Sequence, residues 1–217
     1  MRLLSPKTAA FLLLFTAACN PSPRGIILAC VGDSLTESTY PRHLSKTLAD
    51  EGIRAKILNY GRSGFSSGEY LSYLQENQAT LAAEHPDYVL VQLGTNDVRM
   101  DHDRTSLEQF SANMQNILNI LSQLQNPAGK KSQILLATIP PIPRGTPFPF
   151  SPESQSRVRN EINPFIIRIG KEKKIPIVDN YSLFLENPHL LPEVHPSEDG
   201  YKHLARNWFA ALKPLLK

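Results

Sequence analysis

The sequence predicts a parallel, three-layer α/β domain, and three observations carry that reading. Apolar runs without alternation recur at 26–31 and 88–91, the pattern of strands covered on both faces. Stretches with apolar residues three and four apart lie between such runs, as at Phe110, Met114, Ile117, Leu118, Leu121 and Leu124, where one helix face is apolar. Strand and helix keep alternating with no internal repeat, as crossover helices joining parallel strands require.

The first strand, Ile26-Ile27-Leu28-Ala29-Cys30-Val31, breaks at Gly32 into Asp33-Ser34-Leu35-Thr36-Glu37-Ser38, which can open a helix. Residues 40–52 follow a helical pattern with Leu44, Leu48 and Ala49 on one face, and Gly52 ends it. Residues 55–59 form the second strand, closed by Tyr60-Gly61-Arg62-Ser63-Gly64. Leu71, Leu74, Gln78 and Leu81 mark a helix over 69–84. The third strand, 87–93, runs directly into Gly94-Thr95-Asn96-Asp97. Residues 133–139 are the fourth strand and 175–178 the fifth. Between these two, Val158, Ile162, Phe165 and Ile169 mark a helix that Pro164 must kink or divide. Ser197 caps the last helix, with Glu198 and Asp199 in its first turn and Tyr201, Leu204, Ala205, Trp208 and Leu212 on its buried face.

A chain of 217 residues is most simply one domain, long enough to bury a core without disulfides. Its formal charge of +3 includes Arg2 and Lys7 near the N-terminus, which leaves the remainder near +1 (3 − 2). That balance argues against a nucleic-acid-binding surface. Cys30 lies inside an apolar strand and reads as a small buried hydrophobe.

The first residues have the order of an export signal. A positive segment, 1–7, precedes an apolar one, 8–15, too short to span a bilayer. Thr16-Ala17-Ala18-Cys19 then resembles a bacterial lipobox, with Thr16 standing where leucine is usual. We expect residues 1–18 to be a signal peptide, Cys19 to be lipidated and 19–25 to link this anchor to the domain at 26–217. The chain would then sit in the bacterial cell envelope, held at a membrane. Ordinary cleavage leaving Cys19 a free thiol is the alternative.

Three strand-end breaks, Gly32-Asp33-Ser34, Gly61-Arg62-Ser63-Gly64 and Gly94-Thr95-Asn96-Asp97, should gather on one rim of the sheet, where ligands bind in such folds. Acyl transfer through serine needs a hydroxyl, a base and donors aimed at the oxyanion. Ser34 is the candidate nucleophile, Gly61 offers a backbone N–H and Asn96 a side-chain amide. The base should be a histidine. His43 and His203 fall in helices, His85 precedes Pro86 and His102 lies in a charged loop. His189 and His195 lie in the loop before the last helix, and His195 stands two residues before its cap. Asp33 and Asp97 read as turn residues bonded to local backbone. A metal set of His189, Glu193 and His195 lacks a matching ligand pattern.

Gly32-Asp33-Ser34-Leu35-Thr36, Asn59-Tyr60-Gly61-Arg62-Ser63-Gly64, Gly94-Thr95-Asn96-Asp97 and Val194-His195-Pro196-Ser197 occur in that order. Together they resemble the four blocks of the GDSL, or SGNH, hydrolase family. The resemblance implies a flavodoxin-like fold with five parallel strands and makes 26–217 the hydrolase domain. It implies Ser34 as nucleophile, His195 as general base, and an oxyanion hole from the Ser34 N–H, the Gly61 N–H and Asn96. It also implies esters of lipids or carbohydrates as substrates, with no metal or cofactor. The aspartate that the family usually places three residues before the histidine is here Pro192. Glu193 is the candidate acid in its place; a backbone carbonyl holding the imidazole, leaving a dyad, is the alternative. A flavin or phosphate binder using the hydroxyls of 34–38, and a catalytically silent surface binding module, are the other function classes to be weighed. Phe148 and Phe150, in the proline-rich loop 140–150, would line an acyl site or pack that loop onto the body. Arg99 would meet an anionic substrate group or water.

Overall fold

A computed structural model of the protein describes residues 24–101 and 104–216. Five parallel strands form one sheet: β1 (Ile26–Gly32), β2 (Ala55–Gly61), β3 (Tyr88–Gln92), β4 (Gln133–Ala137) and β5 (Ile177–Val178). Their order is β2-β1-β3-β4-β5. Leu28 pairs with Ile57 on one side and Tyr88 on the other, so β1 is an interior strand, as its unbroken apolar run requires. The chain leaves β1 toward β2 on one side and crosses back to β3 on the other. The reversal between β1 and β3 makes the carboxyl ends of those two strands the ligand crevice of the sheet.

Alternate residues of each strand enter two cores. Ala29, Val31, Val89, Val91 and Leu136 face one layer, built by α3 (Ser67–Ala83), α4 (Leu107–Leu121) and α6 (Asn163–Lys173). Leu28, Cys30, Leu90, Leu135 and Ala137 face the other, built by α2 (Tyr40–Asp50), α7 (Asn180–Glu186) and α8 (Glu198–Leu212). The stripe anticipated from Phe110 to Leu124 is buried throughout in the first core. In the second, the fully buried Trp208 stacks on Tyr40 with ring centroids 6.2 Å apart. Emptying such a site by truncation to alanine costs about 3–5 kcal/mol.

The helix expected around Pro164 is divided. A six-residue α5 (Pro152–Arg157) passes through a π-helical segment, Val158–Ile162, into α6. Pro164 lies in the first turn of α6, directly after the π segment. Asn163 at this junction pins the end of β4: its Oδ1 accepts from Ile139 N (2.9 Å) and its Nδ2 donates to Ile139 O (3.0 Å). The short α7 was not anticipated. Its only sequence cue is Asp179, whose side chain accepts from Ser182 N and caps it. The expected signal peptide and Cys19 lie outside the described residues. Among the described residues no helix is long and apolar enough to cross a membrane.

Candidate active site

β1 ends at Gly32, where a Cβ would lie 2.1 Å from Thr36 Oγ1 and 2.5 Å from Gln92 O. Only glycine lets the chain turn this tightly from strand to helix. The four-residue α1 (Ser34–Glu37) starts at once, capped by Asp33, whose Oδ1 accepts from Leu35 N at 3.0 Å. This cap aims the first residue of the helix, Ser34, off the sheet edge, and the Ser34 N–H has no partner among the described residues. Asp33 is wholly buried, and burial pushes its carboxyl up to about 6, against lowering by the Leu35 N–H and by Thr95. Thr95 lies close to this carboxyl, yet Asp33 Oδ2 and Thr95 Oγ1 each lack a partner at hydrogen-bond distance.

The loop after β2 is clipped to α1 at two points. Asn59 Nδ2 donates to Glu37 O (3.1 Å) and Ser63 N to Glu37 Oε2 (3.0 Å). It is clipped next to Asn96, whose Nδ2 donates to Phe65 O (3.0 Å). That bond uses one amide hydrogen and leaves the second free to donate into the crevice. Asn96 opens a 3₁₀ turn, Asn96–Val98, directly after β3. Its neighbour Asp97 is buried and accepts from Ser67 N (2.9 Å) and Ser67 Oγ (2.5 Å). Burial raises the Asp97 carboxyl, with the Ser67 hydrogen bonds opposing it. Arg157, also buried, donates to Asp97 O (3.0 Å) and Thr105 O (2.5 Å) and pairs with Glu161 (3.0 Å). An arginine in a helix reads as a solvated side chain, so this brace under the Asn96 turn had no sequence signal.

The last component arrives on the segment between α7 and α8. Ser197 caps α8 through Gly200 N (3.1 Å), and its own N–H donates to Leu190 O (2.9 Å), closing the loop on itself. The loop lies so close to α8 that a Cβ on Gly200 would stand 2.3 Å from Leu190 O. This closure brings His195 Nε2 to 2.9 Å from Ser34 Oγ, across 161 residues of sequence. Ser34 is half-buried and His195 exposed, so the pair opens to solvent.

Two of the expected site residues take other positions. The N–H of Gly61 is spent on Asn59 Oδ1 (2.9 Å), so Gly61 does not supply the expected oxyanion donor. Gly64, three residues on at φ +80°, has an N–H with no partner among the described residues. It stands between Ser63, held by Glu37, and Phe65, held by Asn96. The open N–H of this loop is therefore that of Gly64. Glu193 is exposed and makes no hydrogen bond or ion pair with a described residue; in particular none joins it to His195. His195 Nδ1 likewise has no described acceptor. Arg99 is paired with Asp101 (Nη2 to Oδ2 2.6 Å). Phe150 packs against the first core, whereas Phe148 is 75% exposed.

Three loops and a late histidine thus converge on one hydroxyl, with uncommitted N–H groups at Ser34, Gly64 and Asn96. The model of the GDSL-like lipase/acylhydrolase family matches residues 30–203, which contain every one of these groups. The chain belongs to the GDSL-like lipase/acylhydrolase family. That family is one of ester hydrolases. A curated acetylxylan esterase from Xylanibacter ruminicola is 28% identical over 218 residues, covering 89% of this chain and 45% of the relative. The chain thus spans about half the length of that curated relative. A lipase/acylhydrolase from Enterococcus faecalis superposes with a TM-score of 0.73 at 24% identity, covering 88% of this chain and 97% of the other. The acetyl xylan esterase AlAXEase superposes with a TM-score of 0.71 at 19% identity, over 86% of this chain and all of the other (100%). These two structural likenesses show the fold, the five-stranded GDSL α/β architecture described above.

Proposed function

We propose that this member of the GDSL-like family hydrolyses carboxylic esters through an acyl-enzyme on Ser34. The observation that carries the reading is the 2.9 Å contact between Ser34 Oγ and His195 Nε2 at the reversal point of the sheet. His195 Nε2 takes the hydroxyl proton as Ser34 Oγ bonds to the ester carbonyl carbon. The Ser34 N–H, the Gly64 N–H and the free Asn96 amide hydrogen stabilise the resulting oxyanion. Collapse breaks the ester C–O bond, and the imidazolium returns its proton to the departing alkoxide. Water, deprotonated by the same imidazole, then attacks the acyl carbon and releases the acid and Ser34.

Acetyl esters of carbohydrates are the substrate class we favour. The curated relative is an acetylxylan esterase, and the half-exposed Ser34–His195 pair suits an acyl group presented on a bulky alcohol. Because His195 Nδ1 has no described carboxylate partner, catalysis runs as a Ser–His dyad with Glu193 a bystander. Replacing Ser34 by alanine tests the assignment against a silent binding module. Loss of p-nitrophenyl acetate hydrolysis and of fluorophosphonate labelling in a folded variant supports it; undiminished hydrolysis ends it. We further propose export and lipidation at Cys19, supported by the residue order of 1–19. Incorporation of labelled palmitate that Cys19→Ser abolishes is the expected result, and an unlabelled native chain refutes it.

A further inference from the structure

A cavity that the proposed mechanism does not use opens among the segments that follow β4 and β5. Its volume is about 600 Å³, inside the range of about 300–1,000 Å³ typical of small-molecule sites. One wall is a single helical face: Gln155 and Ser156 on α5 lie three to five residues from Arg159 and Asn160 on the π segment. The facing wall is α7, with Tyr181 and Leu185 four residues apart. Pro152 and Arg144, the latter from the loop that leaves β4, complete the lining.

The charge of this cavity is unbalanced. No aspartate or glutamate lines it, and neither Arg144 nor Arg159 has a hydrogen bond or ion pair with a described residue. Two acids beside the lining residues of α5 and the π segment are committed elsewhere, Glu153 to Arg104 at 2.6 Å and Glu161 to Arg157 at 3.0 Å. Two planar guanidinium forks without carboxylates match an incoming carboxylate, which each can bind through two parallel N–H bonds. Gln155 and Asn160 add amide donors and acceptors suited to hydroxyl groups. Tyr181 and the 58%-exposed Leu185 add apolar surface, on which the carbon-bound face of a sugar ring can rest.

Position gives the length of the ligand. Tyr181 follows β5 and Arg144 follows β4, so the cavity opens at the same carboxyl edge as Ser34 after β1 and Asn96 after β3. Along β1-β3-β4-β5, the strands that these segments follow stand two to three strand spacings from β1, about 10–15 Å. A ligand holding both sites must be longer than a single sugar. A second hollow of about 570 Å³, lined by Lys131, Lys173 and Lys174, opens beside Gln133 and Ile134 at the start of β4. It lies at the opposite edge and cannot share a substrate with Ser34.

We propose that the Arg144–Arg159 cavity is a subsite for a carboxylate carried by the substrate, and that the preferred substrate is an acetylated oligosaccharide bearing a uronic acid. This rests on the carbohydrate-ester reading above, and the experiment separates the two. Wild type and Arg144→Ala/Arg159→Ala are assayed on acetylated xylo-oligosaccharides with and without glucuronic acid substituents, and on p-nitrophenyl acetate. The wild type should favour the acidic oligosaccharide by about tenfold in kcat/KM, the scale of hydrogen bonds to a charged group. The double variant should lose that preference through KM and keep its p-nitrophenyl acetate rate, and raised salt should erode the wild-type preference in the same way. Equal wild-type turnover of acidic and neutral oligosaccharides, or a preference that survives the double substitution, overturns the subsite. So does arginine-dependent binding to phosphatidylglycerol vesicles without discrimination between the oligosaccharides. Titration of Ser34→Ala with the deacetylated acidic oligosaccharide reads the subsite without catalysis. Arginine-dependent binding there, with no wild-type hydrolysis of p-nitrophenyl acetate, would retain the subsite and remove the esterase reading. Activity on that ester with no such binding would do the reverse.

Discussion

Replacing Asp33 by asparagine should make the protein more stable at neutral pH, although Asp33 caps the helix that carries Ser34. Asparagine keeps a side-chain oxygen for the Leu35 N–H, which now donates to Asp33 Oδ1 at 3.0 Å, and the two residues cap helices about equally well. What changes is the charge. The native carboxyl is pushed from 3.8 to about 6, first by burial and to a smaller degree by Asp97, against the hydrogen bonds it accepts. A carboxyl whose folded value exceeds its unfolded value holds its proton more tightly in the native state. Its stabilising effect is therefore full below 3.8 and is lost as pH rises through about 6. The gap of about two pH units, at about 1.36 kcal/mol each, makes that loss about 3 kcal/mol. Urea unfolding of both proteins at a series of pH values measures it. The stability of Asp33→Asn minus that of wild type should grow by about 2 kcal/mol from about pH 4 to about pH 7. Other carboxylates, Asp97 among them, are present in both proteins and cancel to first order. Curves that stay parallel across this range would show that burial does not cost Asp33 its charge, and the reasoning would fail.

Asn96→Ala should lower kcat by about 100- to 1,000-fold, the usual effect of removing one oxyanion donor, with KM little changed; steady-state kinetics on p-nitrophenyl acetate decides it, and an unchanged kcat would exclude the amide from the site. Glu193→Gln should leave kcat within about twofold of wild type, because the exposed carboxylate has no hydrogen-bond or ion-pair partner among the described residues; a fall of several orders of magnitude, as when a triad acid is lost, would restore Glu193 to the machinery. Burial pushes the Cys30 thiol up to about 12, so a disulfide reagent should label it only after denaturation, and rapid labelling of native protein would contradict its placement.

How much of this was legible beforehand follows from the range of each interaction. The two-faced burial of β1 and β3 was visible in their unbroken apolar runs, and the buried face of α8 in the spacing of Tyr201, Leu204 and Trp208. The α8 cap was equally local, since Ser197 and Gly200 are three residues apart. Asp33 behaves as expected of a turn residue, bonding the N–H two residues on. Asp97 does not: its partners sit on Ser67, thirty residues back, and no local rule points there. The choice between Gly61 and Gly64 was likewise undecidable from composition, because both glycines lie in one loop. What separates them is the rotamer of Asn59, which occupies the first N–H and leaves the second open. Arg157 shows the same limit, a charged residue turned inward because the carbonyls of Asp97 and Thr105 meet it there.

By itself the sequence determined which residue types stand at the strand ends, the five strands and the longer helices between them, and a nucleophile, a base and an amide donor as candidates. Those properties are written in patterns of a few residues, where sterics and apolar periodicity act directly. Tertiary structure alone decided that His195 meets Ser34 across 161 residues, that Gly64 has the open N–H, that Glu193 stands apart, and that Arg144 and Arg159 share a cavity free of acids. Each of these depends on where separate loops lie once the sheet has stacked. Parallel stacking carries the loop ends of β1, β3, β4 and β5 to one edge, and packing between layers, which no short stretch encodes, sets which side chains face one another there.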